Sequence, residues 1–356
     1  MRVIYPQTAF FVQPQRNLTL IRYIIRRLLV AIPTLLIISF VIFFILDKAP
    51  GDPTGSLPMT VPPEVREKIR LSLGLGEAMH IRYYKWCVQF FVNEPLNILQ
   101  QTLGVTIGDH ENRTRILSWA TRSPVVDLIV QRTPQTLWVV GLSYVFGTLL
   151  AIPIGIIQAY RQYSWFDQIG TFVAMIGFSV PTFFTGVVAI IIFSVQLEWL
   201  PMIYDTTVEV NSWSNFVLQF KQMIMPVMVL ALWQAAQLSR FMRASILDNL
   251  NLDYVRTARS KGRSERAVLL IHVLRNSMIP VITLIALGIP QIFGGAIITE
   301  QIFRVNGLGQ LLILAIEGAD IPTVQTLTFL FAILIVLFNL VADVLYGMLD
   351  PRIRYD

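Results

Sequence analysis

Charge is scarce in this chain of 356 residues: only 14% are Asp, Glu, Lys or Arg, and 54% are hydrophobic. Soluble chains carry about 25% charged residues, so an ordinary soluble domain is excluded. Cysteine is almost absent. The lone Cys87 rules out an intramolecular disulfide framework and any CxxC metal site. His80, His110 and His272 stand apart with no ligand spacing, which leaves no metal or redox site to assign. There is no GxxxxGK[ST] loop to cradle nucleotide phosphates, no HExxH and no GxSxG. The chain therefore presents no catalytic residues and no cofactor site of its own, and any ATP chemistry must be borrowed. No period of 20 to 50 residues repeats, which argues against a solenoid.

What is present is a series of long uncharged runs. Residues 1–27 hold five arginines and no acidic residue, and Leu28 to Leu46 follows without a charge. Nineteen such residues are about enough to cross a ~30 Å hydrocarbon core, and the run is too long for a cleavable signal. Residues 47–132 are a polar interruption that opens on the turn Pro50-Gly51-Asp52-Pro53. It contains an expected helix from Pro63 to Leu73, a small apolar face of Trp86, Phe90 and Phe91, and a chance glycosylation sequon at Asn112. Five more apolar runs follow: Thr133 to Tyr160, Ile169 to Leu197, Gln222 to Ser239, Asn276 to Thr299 and Ile321 to Ala342. The second of these is too long for one straight crossing and is expected to tilt, to kink at Pro181 or to run along the interface.

The net charge of +6 follows membrane topology, not a polyanion surface, so no nucleic-acid partner is implied. The stretch Arg240 to Arg275 has eight basic and three acidic residues. Glu198 to Lys221 and Glu300 to Asp320 each have three acidic and one basic. That alternation predicts six crossings with both termini in the cytoplasm.

The segment Asn251 to Pro280 is basic and amphipathic, with Leu252, Val255 and Ala258 at helical spacing and Gly262 closing the helix. On charge pattern alone it either lies on anionic lipid or docks on a protein. Its core, Arg256-Thr257-Ala258-Arg259-Ser260-Lys261-Gly262, resembles the cytoplasmic loop of permease subunits in ABC importers. The general family pattern opens Glu-Ala-Ala, with a Gly six positions after the Glu. Here Arg256-Thr257-Ala258 replaces it and Gly262 keeps the glycine, a departure similar to the dipeptide, oligopeptide and nickel branch. Ser179 to Gly186, Trp199-Leu200-Pro201, Asn306-Gly307-Leu308-Gly309 and Leu349 to Tyr355 resemble the same family in order.

The resemblance implies an all-α, multi-pass inner-membrane protein with six transmembrane helices. Residues 1–46 would form the cytoplasmic N-terminus and first helix, and 47–132 an extracytoplasmic subdomain. Residues 133–349 would form the core permease with five helices, and 350–356 a cytoplasmic tail. Between the fourth and fifth helices, Asp253, Tyr254, Val255, Arg256, Thr257, Ala258, Arg259, Lys261 and Gly262 would be a coupling helix docking an ATPase. There Asp253 is expected to cap the helix, and Tyr254 and Val255 to enter a groove on the partner. The implied partners are a second homologous permease, ABC ATPase subunits that use ATP and Mg, an extracytoplasmic substrate-binding protein, and membrane lipid. Intramembrane polar residues are costly and are the default candidates for a solute path. These are Gln234, Gln237, Gln291, Asn339 and Asp343, whose alternative role is glue between helices. A self-sufficient channel or proton-driven carrier would show an internal repeat or deep carboxylates; neither is visible. A membrane-anchored enzyme would show a nucleophile–base or metal-ligand set.

Overall fold

The computed structural model describes residues 14–49, 62–72, 74–104, 113–205, 207–208, 211–294 and 296–349. The turn at Pro50–Pro53, the sequon at Asn112 and the tail 350–356 lie outside the described residues. Every named element among the described residues is a helix. In chain order they are α1 (Pro14–Lys48), α2 (Pro63–Ser72), α3 (Met79–Val88), α4 (Glu94–Leu103), α5 (Val125–Thr136) and α6 (Leu142–Tyr160). Then come α7 (Trp165–Ser179), α8 (Thr182–Ala189), α9 (Trp213–Leu250), α10 (Asp253–Ser260) and α11 (Glu265–Ala267). The last are α12 (Leu274–Gly294), α13 (Ile297–Phe303), α14 (Leu308–Glu317) and α15 (Ile321–Leu349). Wide π-type turns join α3 to α4, α5 to α6 and α11 to α12 without a break, and another continues α8 to Gln196.

Among the described residues, five helical stretches are long and apolar enough to cross a membrane: Arg22–Lys48, Val125–Tyr160, Trp213–Leu250, Glu265–Ile292 and Ile321–Leu345. A sixth, Trp165–Ser179 with Thr182–Gln196, is bent by 100°. The bend falls at Pro181, as the sequence suggests. Proline has no N–H and pushes its predecessor out of the helical region, and Val180 accordingly sits at φ −82°, ψ 126°.

Helix lengths depart from the charge-bounded runs. Instead of Gln222 to Ser239, α9 spans 38 residues, ~57 Å at 1.5 Å per residue. Lys221 and Arg240 bound the uncharged run but lie inside the helix. The run expected to reach Thr299 stops at Gly294, and Ile297–Phe303 is a separate short helix.

The pairing of α6 with α9 is the centre of the bundle. Ser143, Gly147, Ala151, Gly155 and Ala159 recur every four residues along α6, and all are buried. A methyl on Gly147 would lie 2.8 Å from the Ala231 carbonyl oxygen, and one on Gly155 would lie 2.6 Å from Met242 Cβ. Small side chains let the two backbones meet, the packing that drives association where lipid competes for apolar surface.

A bidentate ion pair adds to this side of the bundle. Arg243 on α9 donates through Nε and a terminal nitrogen to Asp167 on α7, at 2.6 and 2.8 Å. Asp167 also caps the turn by accepting from the Tyr163 N–H at 2.9 Å.

Residues 79–104 and 113–127 are tied to the bundle by aromatic and polar contacts. Trp86 and Phe90 meet Phe329 of α15 edge-on, with centroids 5.4 and 5.0 Å apart. Glu94 accepts from the Ile116 N–H at 3.0 Å, and Arg115 spans Glu94 and Asp127. Asp320, at the start of α15, accepts from the Ser118 hydroxyl and the Trp119 N–H.

Candidate functional site

The basic segment singled out by sequence is a two-turn helix standing on the end of α9. Val255 is fully buried and Ala258 nearly so, packed with Met242 and Ile246 of α9 and with Val268 and Leu269. Its far end is a Schellman motif. Gly262 sits at φ +73° with its N–H donating to Arg259 O at 2.9 Å, and the Arg263 N–H reaches Ala258 O at 3.4 Å. Glycine is needed there because a side chain at positive φ is strained. Arg259 closes the loop by a two-pronged contact to Glu265, at 2.9 and 3.1 Å. The Tyr254 hydroxyl donates to Asn249 Oδ1 at 2.8 Å.

Two expected roles are corrected. Val255 cannot enter a partner's groove, because it is the anchor that seats the helix on its own core. Asp253 is not the cap: Leu252 holds that position without a side-chain bond, and Asp253 begins the helix itself. The face left to solvent carries Leu252, Asp253, Arg256, Thr257, Ser260 and Lys261. On it Arg256 and Asp253 are a loose pair at 3.7 Å, both more than two-thirds exposed, so water screens them and either can be recruited by a partner.

Among the intramembrane polar residues, the structure brings three together. Gln234 and Gln237 of α9 and Gln291 of α12 line one cavity of about 170 Å³ with Tyr144, Phe241 and Gly288. Tyr144 donates to the Ile285 carbonyl at 2.5 Å, bridging α6 to α12. Gly288 makes room for that ring, since a methyl there would sit 2.2 Å from the Tyr144 oxygen. The cavity is uncharged and rich in amides, each offering both donors and acceptors.

Asn339 and Asp343 do not share this cavity. Asn339 lies on an exposed face of α15. Asp343 forms an ion pair with Arg27 of α1 at 2.7 Å.

A third cluster escaped the sequence reading. Glu300 of α13 is completely buried. It accepts from the Thr136 hydroxyl at 3.0 Å and the Gln310 N–H at 3.1 Å, while Thr136 in turn accepts from the Leu308 N–H at 2.7 Å. Burial pushes the Glu300 carboxyl above the usual carboxylate range, and the donated bonds and Arg132 offset that only in part. The carboxylate thereby fastens the Gly307–Gly309 turn between α13 and α14 onto α5. The neighbouring loop is held by Tyr204, which donates to Gln135 at 2.7 Å and whose phenol burial pushes up to about 12. The only sequence signal for Glu300 was an acidic residue inside an apolar neighbourhood beside two glycines.

Comparisons with known proteins identify the family. Residues 151–355 match the family model described as binding-protein-dependent transport system inner membrane component, and residues 20–140 match that of its N-terminal part. The chain is 38% identical over 337 residues to the oligopeptide transport system permease protein AppB of Bacillus subtilis (strain 168), covering 94% of this chain and 99% of that one. It is 37% identical over 337 residues to the glutathione transport system permease protein GsiC of Escherichia coli (strain K12), covering 94% and 100%. The chain therefore belongs to the binding-protein-dependent transport system inner membrane component family, and is a pore-forming permease subunit of an ABC importer.

Proposed function

We propose that the chain crosses the membrane six times, with the bent α7–α8 pair as one crossing and both termini in the cytoplasm, and that it supplies half of a path for peptides. A second, homologous permease completes the path. ATPase subunits, which carry the ATP and Mg, dock on the exposed face of α10. An external binding protein delivers solute to the loops around Glu198–Lys221 and Glu300–Asp320. ATP-driven closure of the ATPases moves α10. Because Val255 and Ala258 pack α10 against α9 and the π-turn leading into α12, and Arg259 ties it to Glu265 of α11, that motion reaches the cavity between α9 and α12. Alternating access then follows from contacts that differ between the two states.

The observation that carries the substrate reading is the convergence of Gln234, Gln237 and Gln291 on one uncharged cavity. Amide side chains match the donor and acceptor groups of a peptide backbone whatever its side chains. The named relatives, one for oligopeptides and one for glutathione, are consistent with that class.

The test is co-purification from detergent-solubilised membranes of the intact chain and of Arg256→Glu. Partners would be identified by mass spectrometry and ATP hydrolysis measured in each eluate. Arg259 is left alone because it holds the loop together. The expected result is an ATPase and a second permease with the intact chain, and selective loss of the ATPase in the variant. A variant that keeps its ATPase but loses affinity for anionic vesicles would show instead that α10 rests on lipid.

A further inference from the structure

Ser245 of α9 and Ser277 of α12 hold each other by two crossed hydrogen bonds. The Ser245 hydroxyl donates to the Ser277 carbonyl at 2.9 Å, and the Ser277 hydroxyl donates to the Ser245 carbonyl at 3.1 Å. Ser277 is fully buried. The Ser245 carbonyl accepts a further bond from Asn249 Nδ2 at 2.9 Å, and Asn249 Oδ1 in turn accepts from the Tyr254 hydroxyl of α10. A carbonyl has no hydrogen to give, so the Asn249 amide must turn its nitrogen to Ser245 and its oxygen to Tyr254. One unbroken line of hydrogen bonds therefore runs from Tyr254 through Asn249 and Ser245 to Ser277, from α10 across the end of α9 to α12.

The place where this line meets α12 gives it mechanical meaning. The apolar seat of α10, Val255 with Ala258, meets Val268 and Leu269 in the π-type turn that precedes α12. Apolar packing is non-directional, so those surfaces can slide, whereas hydrogen bonds hold distance and angle. The line reaches α12 beyond that turn and just before Pro280. Proline lacks the N–H that the Asn276 carbonyl would take, so α12 bends most readily there. Leu284, Leu287, Gly288 and Gln291, which line the amide cavity, all lie past that point. The serine clasp grips α12 directly below its cavity-lining half.

We propose that Tyr254, Asn249, Ser245 and Ser277 are positioning residues that carry a displacement of α10 to α12, with Pro280 as the pivot. The proposal rests on the reading of α10 as the ATPase dock. When α10 moves, Tyr254 draws the Asn249 amide with it, the crossed serines keep α9 and α12 in register, and the cavity-lining half of α12 turns about Pro280. Without the line, the motion reaches α10 and the end of α9 but is absorbed in the π-type turn.

The experiment uses the whole complex in proteoliposomes, with Cys87→Ser to remove the chain's own thiol and Leu287→Cys as a reporter in the cavity wall. The rate at which a maleimide labels this subunit is read by mass, first without nucleotide and then with ATP and vanadate. One cut is Tyr254→Phe; the other is Ser245→Ala with Ser277→Ala. Each removes hydroxyls and adds no bulk, and Tyr254 and Ser245 are only half-buried, so the fold and the docked ATPase should stay. One ordinary hydrogen bond corresponds to about fivefold in an equilibrium constant. Nucleotide should change the parent's labelling rate, and either cut should shrink that response about fivefold while ATP hydrolysis continues. Both cuts together should do no more than one, because they break the same line. A purely structural role would lower the melting temperature and leave the response intact. A full response in either cut, or losses that multiply in the combined variant, would overturn the proposal. So would a parent that carries its ATPase but whose labelling ignores nucleotide. A parent that carries no ATPase would sink the docking reading itself, and this proposal with it.

Discussion

Glu300→Ala should unfasten the Gly307–Gly309 turn. The carboxylate is fully buried, and its removal strands the Thr136 hydroxyl and the Gln310 N–H away from water. Each stranded group costs about 1–3 kcal/mol, and relief from burying a carboxylate offsets part of the sum, leaving a net loss of about 3–4 kcal/mol. For a chain of this size that corresponds to roughly 4–5 °C in melting temperature. Glu300→Gln should cost less: its carbonyl oxygen can keep the Gln310 N–H and its amide nitrogen can donate to Thr136 Oγ1, so only the Thr136 O–H is left without its acceptor. The pH dependence separates the two roles of the carboxyl. Because burial raises the folded pKa above the unfolded glutamate value, the group's contribution is fully present below the unfolded value and is lost as pH rises through the folded one. The parent should therefore lose stability across that window, and Glu300→Gln should not. Thermal unfolding in detergent, with the pH stepped from below the ordinary glutamate range to neutrality, measures both. Identical melting temperatures for the parent, Glu300→Ala and Glu300→Gln would refute the role of this carboxylate as a fastener.

Other substitutions probe the remaining contacts. Gly288→Ala drives a methyl to within 2.2 Å of the Tyr144 oxygen, so the ring must swing into the cavity. Peptide uptake into vesicles should fall at least about tenfold while the complex still assembles, since overpacking of this kind costs only about 1–3 kcal/mol. Gly155→Leu puts a side chain where Met242 and the Ser239 carbonyl already stand, so α6 should part from α9. That variant should fail to survive gel filtration in detergent as a single species. Arg243→Ala leaves Asp167 nearly buried without its cation and should cost about 3–5 kcal/mol; adding Asp167→Asn should recover part of the loss in the same melt. Gly262→Ala strains a position at φ +73°, with a local cost of about 1 kcal/mol, and should lower ATPase co-purification without affecting the second permease.

Some of this molecule could be read from composition and spacing, because the cause is local. The helix breaks at Pro181, where proline lacks an N–H and crowds its predecessor, whereas Pro153 and Pro226 stay inside α6 and α9, and Gly262 closes α10 because glycine takes φ +73° without strain. The long uncharged runs had to be helices, since a single run of about 20 apolar residues satisfies its own backbone in an apolar layer only as a helix. What could not be read is which face of each helix meets protein. Gln234, Gln237, Gln291 and Asn339 are the same kind of side chain, yet the first three share a cavity and Asn339 does not. The resemblance makes Val255 a docking residue, but the stripe that defines an amphipathic helix is the same whether it seats on its own core or on a partner. The stripe from Ser143 to Ala159 is visible in the sequence only as small residues four apart, and among so many apolar neighbours that spacing carries no distinct signal. In water, hydrophobicity would have marked the buried face. In lipid both faces are apolar, so helix orientation is decided by how closely two backbones can approach and by a few polar contacts such as Tyr144 to Ile285 and Arg243 to Asp167. Those contacts join residues 76 to 141 positions apart, where a single sequence offers no pattern to find them.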